Sequence, residues 1–171
     1  MKWDGTGVSM EVFTYKEGLL SKIAHDLRIV VPNPKVRFDG ESLTARINLQ
    51  ELQIASAQKD GRDSPSLSDG DKKKILKSLH NDSLKTRRHP EAVYEAKAHF
   101  PDDTHAELKG KLTLHGTTRD LPISLAQKDG RWFGEVVIQQ PDFGIKPFTA
   151  MLGALKIKPE VRITFSAPVT A

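Results

Sequence analysis

Residues 105–115 read HAELKGKLTLH, and this stretch decides the fold. Ala106, Leu108, Gly110, Leu112 and Leu114 share one parity, while Glu107, Lys109, Lys111 and Thr113 share the other. A period of two is the pattern of a β-strand with one face buried and the other in water. Working outward, the pattern repeats. Ser42–Gln50 sets Leu43, Ala45, Ile47 and Leu49 against Thr44, Arg46 and Asn48. Ile157–Ser166 sets Ile157, Val161, Ile163 and Phe165 against Lys158, Glu160, Arg162 and Thr164. Weaker runs follow at Val8, Met10 and Val12; at Leu27, Ile29 and Val31; at Tyr94, Ala96 and Ala98; at Leu121, Ile123 and Leu125; and at Trp132, Gly134, Val136 and Ile138.

Turn chemistry joins these runs in order. Asp129-Gly130 suits a two-residue hairpin, and Asp39-Gly40, Pro101-Asp102-Asp103 and Gly116-Thr117 mark further turns. About eight sequential strands, each with one wet face, fit an all-β fold with short helices, a closed eight-stranded antiparallel barrel without exposed edges. A sandwich stays open, because alternation does not distinguish closure from stacking.

The 171 residues fit one domain, 1–171, with a polar helical insertion at 57–90. In that insertion Ser68-Asp69-Gly70-Asp71 reads as a capped helix start, followed by Ile75, Leu76 and Leu79 as a narrow apolar stripe. A second short helix is expected after Pro147, where Phe148, Met151, Leu152 and Leu155 recur at helical spacing. Both would cover a barrel end.

Composition removes several functions. The chain has no Cys, which excludes disulfides, thiolate metal sites and Cys nucleophiles. No run approaches the roughly 20 apolar residues of a transmembrane helix. Met1-Lys2-Trp3-Asp4-Gly5 does not open an export leader, so the chain as it stands is expected in the cytoplasm, or in the periplasm if it is a processed product. From Lys59 to His89, nine Lys/Arg stand against five Asp, so this segment carries the whole net charge of +4. It reads as a solvated helix face or as a patch for an anionic partner through Lys72–Arg88. Nucleic acid is not the expected partner, because the segment has no aromatic residue for stacking.

No catalytic motif emerges. G-x-S-x-G is absent, Gly5-Thr6-Gly7 is too short for a nucleotide loop, and Asp102-Asp103 and Asp60/Asp63 read as turn residues. His80, His89, His99, His105 and His115 show no metal-ligand spacing. The expectation is a binding protein with no cofactor, no metal and no catalytic residue. An enzyme using His25 or a loop carboxylate at the barrel mouth is the alternative.

The inward face carries the function. Small residues at Ala45, Ala96, Ala98, Ala106, Gly110 and Gly134 favour a cavity, which would suit an apolar ligand; a filled core, with Phe, Trp and Leu from neighbouring strands taking the space, stays open on the residues alone. The candidate ligand-contacting residues on inward parity are Val12, His25, Leu27, Ile29, Tyr94, Leu112, Trp132, Val136 and Ile163. Phe148, Met151, Leu152 and Leu155 would line or close one end. His25 is the odd polar member; it meets either a ligand head group or a backbone carbonyl.

Several motifs resemble the YceI-like family. They are Leu84-Lys85-Thr86-Arg87-Arg88-His89-Pro90, the run from Leu108 through His115-Gly116-Thr117-Thr118-Arg119, and Asp142-Phe143-Gly144-Ile145 before a final strand. Gly18-Leu19-Leu20-Ser21 and Ala24-His25-Asp26-Leu27 resemble a variant branch. The resemblance implies a lipocalin-like barrel that binds an isoprenoid chain such as a polyprenyl or quinone tail. It also implies small bacterial proteins, many of them exported, among which homodimers occur. It supplies no catalytic residues.

Overall fold

The computed structural model describes residues 2–19 and 24–169. Strands β1 (Ser9–Glu17), β2 (Asp26–Val30), β3 (Lys35–Phe38), β4 (Ser42–Asn48), β5 (Gln53–Lys59) and β6 (Arg62–Ser64) precede helix α1 (Asp69–Ser78). After the helix come β7 (Glu91–Asp102), β8 (His105–Leu114), β9 (Thr117–Asp120), β10 (Ile123–Lys128), β11 (Arg131–Gln139), β12 (Thr149–Ala150) and β13 (Leu155–Pro168). All belong to one antiparallel sheet, ordered β3-β4-β7-β8-β10-β11-β13-β1-β2-β5-β6, with β9 beside β8 and β12 beside β13. The sheet is strongly curled. Its first and last long strands are neighbours, paired from Ser9↔Ser166 to Glu17↔Lys156.

Each of the eight expected runs overlaps a strand, with Val8, Val31, Leu49 and Leu121 just beyond the strand ends. The additional strands β3, β5 and β9 have physical explanations. β9 and β10 pair with β8 in a single register, Leu114↔Thr117 and Leu108↔Ile123, and are separated only at Leu121-Pro122, where Pro lacks an N–H to donate. β2 with β3, and β4 with β5, form one long hairpin: Asp26 faces Gln58, Val30 faces Gln53, Lys35 faces Arg46 and Phe38 faces Leu43. That hairpin is broken midway by Pro32 and Pro34 on one arm and by the 3-10 turn Leu49–Glu51 on the other. In β5 a register shift opposite Arg28/Ile29 leaves Ile54 and Ala57 buried three residues apart, which hides the strand from a search for strict alternation. At the tip of the hairpin, Asp39 Oδ1 accepts from the amides of Glu41 and Ser42 at 3.0 and 2.7 Å and fixes the turn.

Helix α1 begins where the sequence places it. Ser68 and Asp71 form a reciprocal capping box. The helix rests on β5 and runs into a π-helical turn at Leu79–Ser83. The following segment is pinned by Thr86, which is buried. Its hydroxyl lies 3.1 Å from His80 Nδ1, and its carbonyl accepts from Gln50 Nε2 at 3.3 Å.

The helix expected after Pro147 is not there. Thr149–Ala150 pairs with Lys156 and Leu155 as a two-residue strand, so the segment forms a hairpin with β13. A 3-10 turn at Met151–Gly153 closes it, with Met151 and Leu152 at φ of 50° and 56°. The helical spacing of apolar residues there was coincidental; pairing with β13 offers the backbone more hydrogen bonds than a single helical turn.

The small inward residues serve packing more than emptiness. A Cβ on Gly110 would sit 2.6 Å from the ring of Tyr94 and from Ala96 Cβ. One on Gly134 would collide with Phe165 Cε2 and sit 2.6 Å from Leu125 Cδ2. These two glycines make room for aromatic rings laid across them.

Two outcomes follow. Gly134→Ala should lower stability by about 1–3 kcal/mol through overpacking against Phe165, read as a lower urea midpoint; an unchanged midpoint would mean that the ring yields freely. Burial pushes the His80 imidazole below its ordinary value, and His115 shifts the same way, first through burial. The unfolded chain therefore takes up protons first, so stability should fall as pH drops below about 6.5. In thermal melts His80→Gln should remove part of that fall, and His115 should retain the rest.

Candidate functional site: an apolar cavity inside the sheet

Alternation along each strand turns one set of side chains into the space enclosed by the curled sheet. That space is a cavity of about 570 Å³. From β1, β2, β4 and β5 it receives Val12, Leu27, Ile29, Ala45, Ile47 and Ile54. From β7, β8 and β10 come Tyr94, Leu108, Leu112, Ile123 and Leu125, and from β11 and β13 come Trp132, Val136, Ile138, Leu155, Val161 and Ile163. Helix α1 and the turn after it add Ile75 and Leu79, two members of the expected apolar stripe; Leu76 packs against the core without bordering the cavity.

Of the candidates named from sequence, Val12, His25, Leu27, Ile29, Tyr94, Leu112, Trp132, Val136, Phe148, Leu155 and Ile163 all border this space. Met151 and Leu152 do not. They sit on the turn outside it, 63% and 110% exposed, because the hairpin with β13 carries them out past the sheet. Of the small residues, Ala45 borders the cavity, whereas Gly110 and Gly134 lie under Tyr94 and Phe165.

Polar groups at the cavity are few and placed unevenly. Tyr94 is buried, and its hydroxyl donates to the Leu121 carbonyl at 2.8 Å. Burial pushes that phenol up to about 12, so it stays neutral and offers the cavity only its ring. Thr14 Oγ1 and Trp3 Nε1 are buried without a hydrogen-bond partner among the described residues, and both side chains border the cavity. His25 is half-buried and shares the rim with Lys74 and Ser78 of α1. It precedes β2, and Ile23, through which the strand was expected to run, lies outside the described residues together with Leu20 and Ser21.

Sequence reading passed over Thr14, although it continues the parity of Val8, Met10 and Val12; a hydroxyl ended the apolar run. Trp3 was missed because it precedes the first strand. It is held by a two-hydrogen-bond bridge to Phe38 at 2.8 and 2.9 Å.

The other titratable clusters lie off the cavity. His89 and His115 stack with ring centroids 4.5 Å apart, and His115 Nε2 is buried without a partner among the described residues. Asp102 is held at about 2, chiefly by the Thr104 hydroxyl, then by the Thr104 amide and His105. The Arg28 guanidinium holds Asp63 well below the usual carboxylate range. Carboxylates tuned downward in this way fasten the turn at Asp102 and the side-chain cluster at Asp63, and are poor proton donors. The arrangement as a whole can exclude water from an apolar chain while offering a hydroxyl and an imidazole toward one end.

Comparison with known proteins agrees with this architecture. The sequence matches the YceI-like domain over residues 9–169. Among solved structures it is similar to BcnA of Burkholderia cenocepacia, at 15% identity over 95% of this chain and 96% of that chain, with a TM-score of 0.60. It is also similar to a polyisoprenoid binding domain from Saccharophagus degradans implicated in plant cell wall breakdown, at 12% identity over 96% and 94%, TM-score 0.62. A third is the YceI protein of Campylobacter jejuni, at 16% identity over 81% of each chain, TM-score 0.51. No curated protein matches the sequence. At these identities the solved structures speak for the fold, and the match over residues 9–169 speaks for the family: the chain belongs to the YceI-like domain family.

Proposed function

We propose that this protein binds an elongated apolar lipid of the isoprenoid class inside the curled sheet and carries or sequesters it. The observation that carries this reading is the cavity of about 570 Å³, lined almost entirely by aliphatic and aromatic side chains. Its volume falls within the range of small-molecule sites, and an apolar cavity excludes water rather than ordering it. The polyisoprenoid binding domain of Saccharophagus degradans, with the same fold, supports the choice of ligand class. In this reading the chain is a binding protein and not an enzyme. Thr14 and His25 face the ligand's polar end, and residues 1–171 act as one domain.

The container we propose is a closed eight-stranded barrel. Support comes from the long hairpin, in which β2 continues into β3 and β4 into β5. With each arm counted as one bent strand, and with β9 and β10 as another, every neighbour in an up-and-down circuit has a hydrogen-bonded partner, including first to last.

Extraction of the purified protein with organic solvent, followed by mass spectrometry, should recover an isoprenoid-type lipid. Adding farnesol to extracted protein should raise the melting temperature, in line with a gain of roughly 2.7 kcal/mol at a hundredfold excess over Kd. No recovered lipid together with no thermal shift would overturn the reading. Val136→Trp places a ring in the empty space; it should cut lipid recovery severalfold while leaving the extracted protein at least as stable. Undiminished recovery would put the ligand elsewhere.

A further inference from the structure

We infer that the end of the molecule bearing Leu19, Met151 and Leu152 is a docking surface for an anionic phospholipid bilayer. β1 ends and β13 begins at this end, with Glu17 facing Lys156. The loop after β1 touches the turn before β13: a Cβ on Gly18 would lie 2.7 Å from the Ala154 carbonyl oxygen. Leu19, Met151 and Leu152 are 91%, 63% and 110% exposed, the three most exposed large apolar side chains among the described residues. Phe148 and Leu155, which flank the turn in sequence, border the cavity. The apolar tip therefore stands at the cavity's own margin.

The turn is doubly unfavourable for a molecule surrounded only by water. Met151 and Leu152 both hold left-handed backbone, φ 50° and 56°, which Asn or Gly adopts with less strain. Both also expose apolar surface that a polar residue would not. Strain and exposure coincide at one turn, as they do where local structure serves binding.

Charge identifies the partner. Asp71 of α1 feels the charge of His25, and α1 rests on β5, which places the helix at this end; Lys73, Lys74 and Lys77 are exposed along it. Lys146 and Lys156 are exposed on either side of the tip. None of these five makes an ion pair among the described residues. The acidic groups at this end include Glu17, Asp26, Asp69, Asp71 and Asp82; Asp26 accepts from the Lys16 amide and Asp71 is engaged in the helix cap. Apolar side chains beside unpaired lysines match the acyl boundary and the anionic headgroups of a bilayer together. Docking there would bring the cavity margin to the surface where apolar chains reside. The proposal rests on the cavity reading only for that purpose, not for its test.

The test is flotation of the full-length chain with vesicles of phosphatidylglycerol and phosphatidylcholine, and with phosphatidylcholine alone. Binding to the mixed vesicles, weakened by salt and by loss of the anionic lipid, is the expected result. Leu152→Asn fits the left-handed position, so it should melt at or above the parent temperature yet bind at least about tenfold more weakly, as burial of one leucine implies. Lys73→Glu with Lys77→Glu should weaken binding to anionic vesicles alone, and Val137→Asp, on an exposed strand position elsewhere, should leave it unchanged. The inference is overturned by absence of vesicle binding, by full binding of Leu152→Asn, or by a concentration-dependent dimer that Leu152→Asn dissolves, since the tip would then be an interface between copies. Flotation reads docking whatever the cavity holds, and solvent extraction reads occupancy whatever the surface does, so either idea can fail alone.

Discussion

The structure depends on the pairing of β1 with β13. A sheet with one apolar face must cover it, and the described residues offer only one short α-helix for that. Bringing the first long strand against the last curls the sheet until its apolar face looks at itself. From Ser9↔Ser166 to Glu17↔Lys156 the ladder fixes which residues meet: Val12 faces Ile163 and Thr14 faces Val161, all on the inside. A slip of one residue would turn Phe13 and Arg162 inward instead. Those two stack on the outer face with the guanidinium 4.3 Å from the ring centroid, and Arg162 also donates to Tyr15 at 2.8 Å. Both faces therefore specify the same register.

The two ends of the curled sheet differ in kind. One is finished by polar turns closed on themselves. Asp39 binds the amides that follow it, Asp102 binds the Thr104 amide at 2.7 Å, and Asp4 binds the Thr6 amide at 3.0 Å. The other end carries the helix, the long segment to Pro90, the turn before β13 and most of the unpaired lysines. Of the polar groups singled out on the cavity wall, Thr14 and His25 are nearer this second end, since Thr14 lies toward the close of β1 and His25 just before β2, whereas Trp3 is bridged to Phe38 at the first.

Much of this was legible from parity. The eight alternating runs, the capped helix and most of the cavity wall follow from residue types at a spacing of two or from a Ser-x-x-Asp box. What escaped did so for local reasons. A bulge broke the parity of β5, a proline split β9 from β10, and a hydroxyl at Thr14 looked like the end of an apolar run. The segment after Pro147 misled in the other direction. Its apolar residues sit at helical intervals, yet a long-range ladder partner claimed the backbone, and sequence spacing carries no information about that partner. Small inward residues were ambiguous for a similar reason: a glycine marks a close approach without saying whether a ring or a ligand approaches.

That last point bears on how such a container could change. Where Tyr94 lies over Gly110 and Phe165 over Gly134, interior volume is occupied by a removable ring rather than by the backbone. The capacity of the cavity is thus partly a side-chain property, separate from the hydrogen-bonded frame. Exchanging one ring for a small residue, or the reverse, would lengthen or shorten the cavity while leaving strand register, turns and surface untouched. Cavity capacity could thus diverge far ahead of the fold, which this chain shares along nearly its whole length with solved structures at 12 to 15% identity.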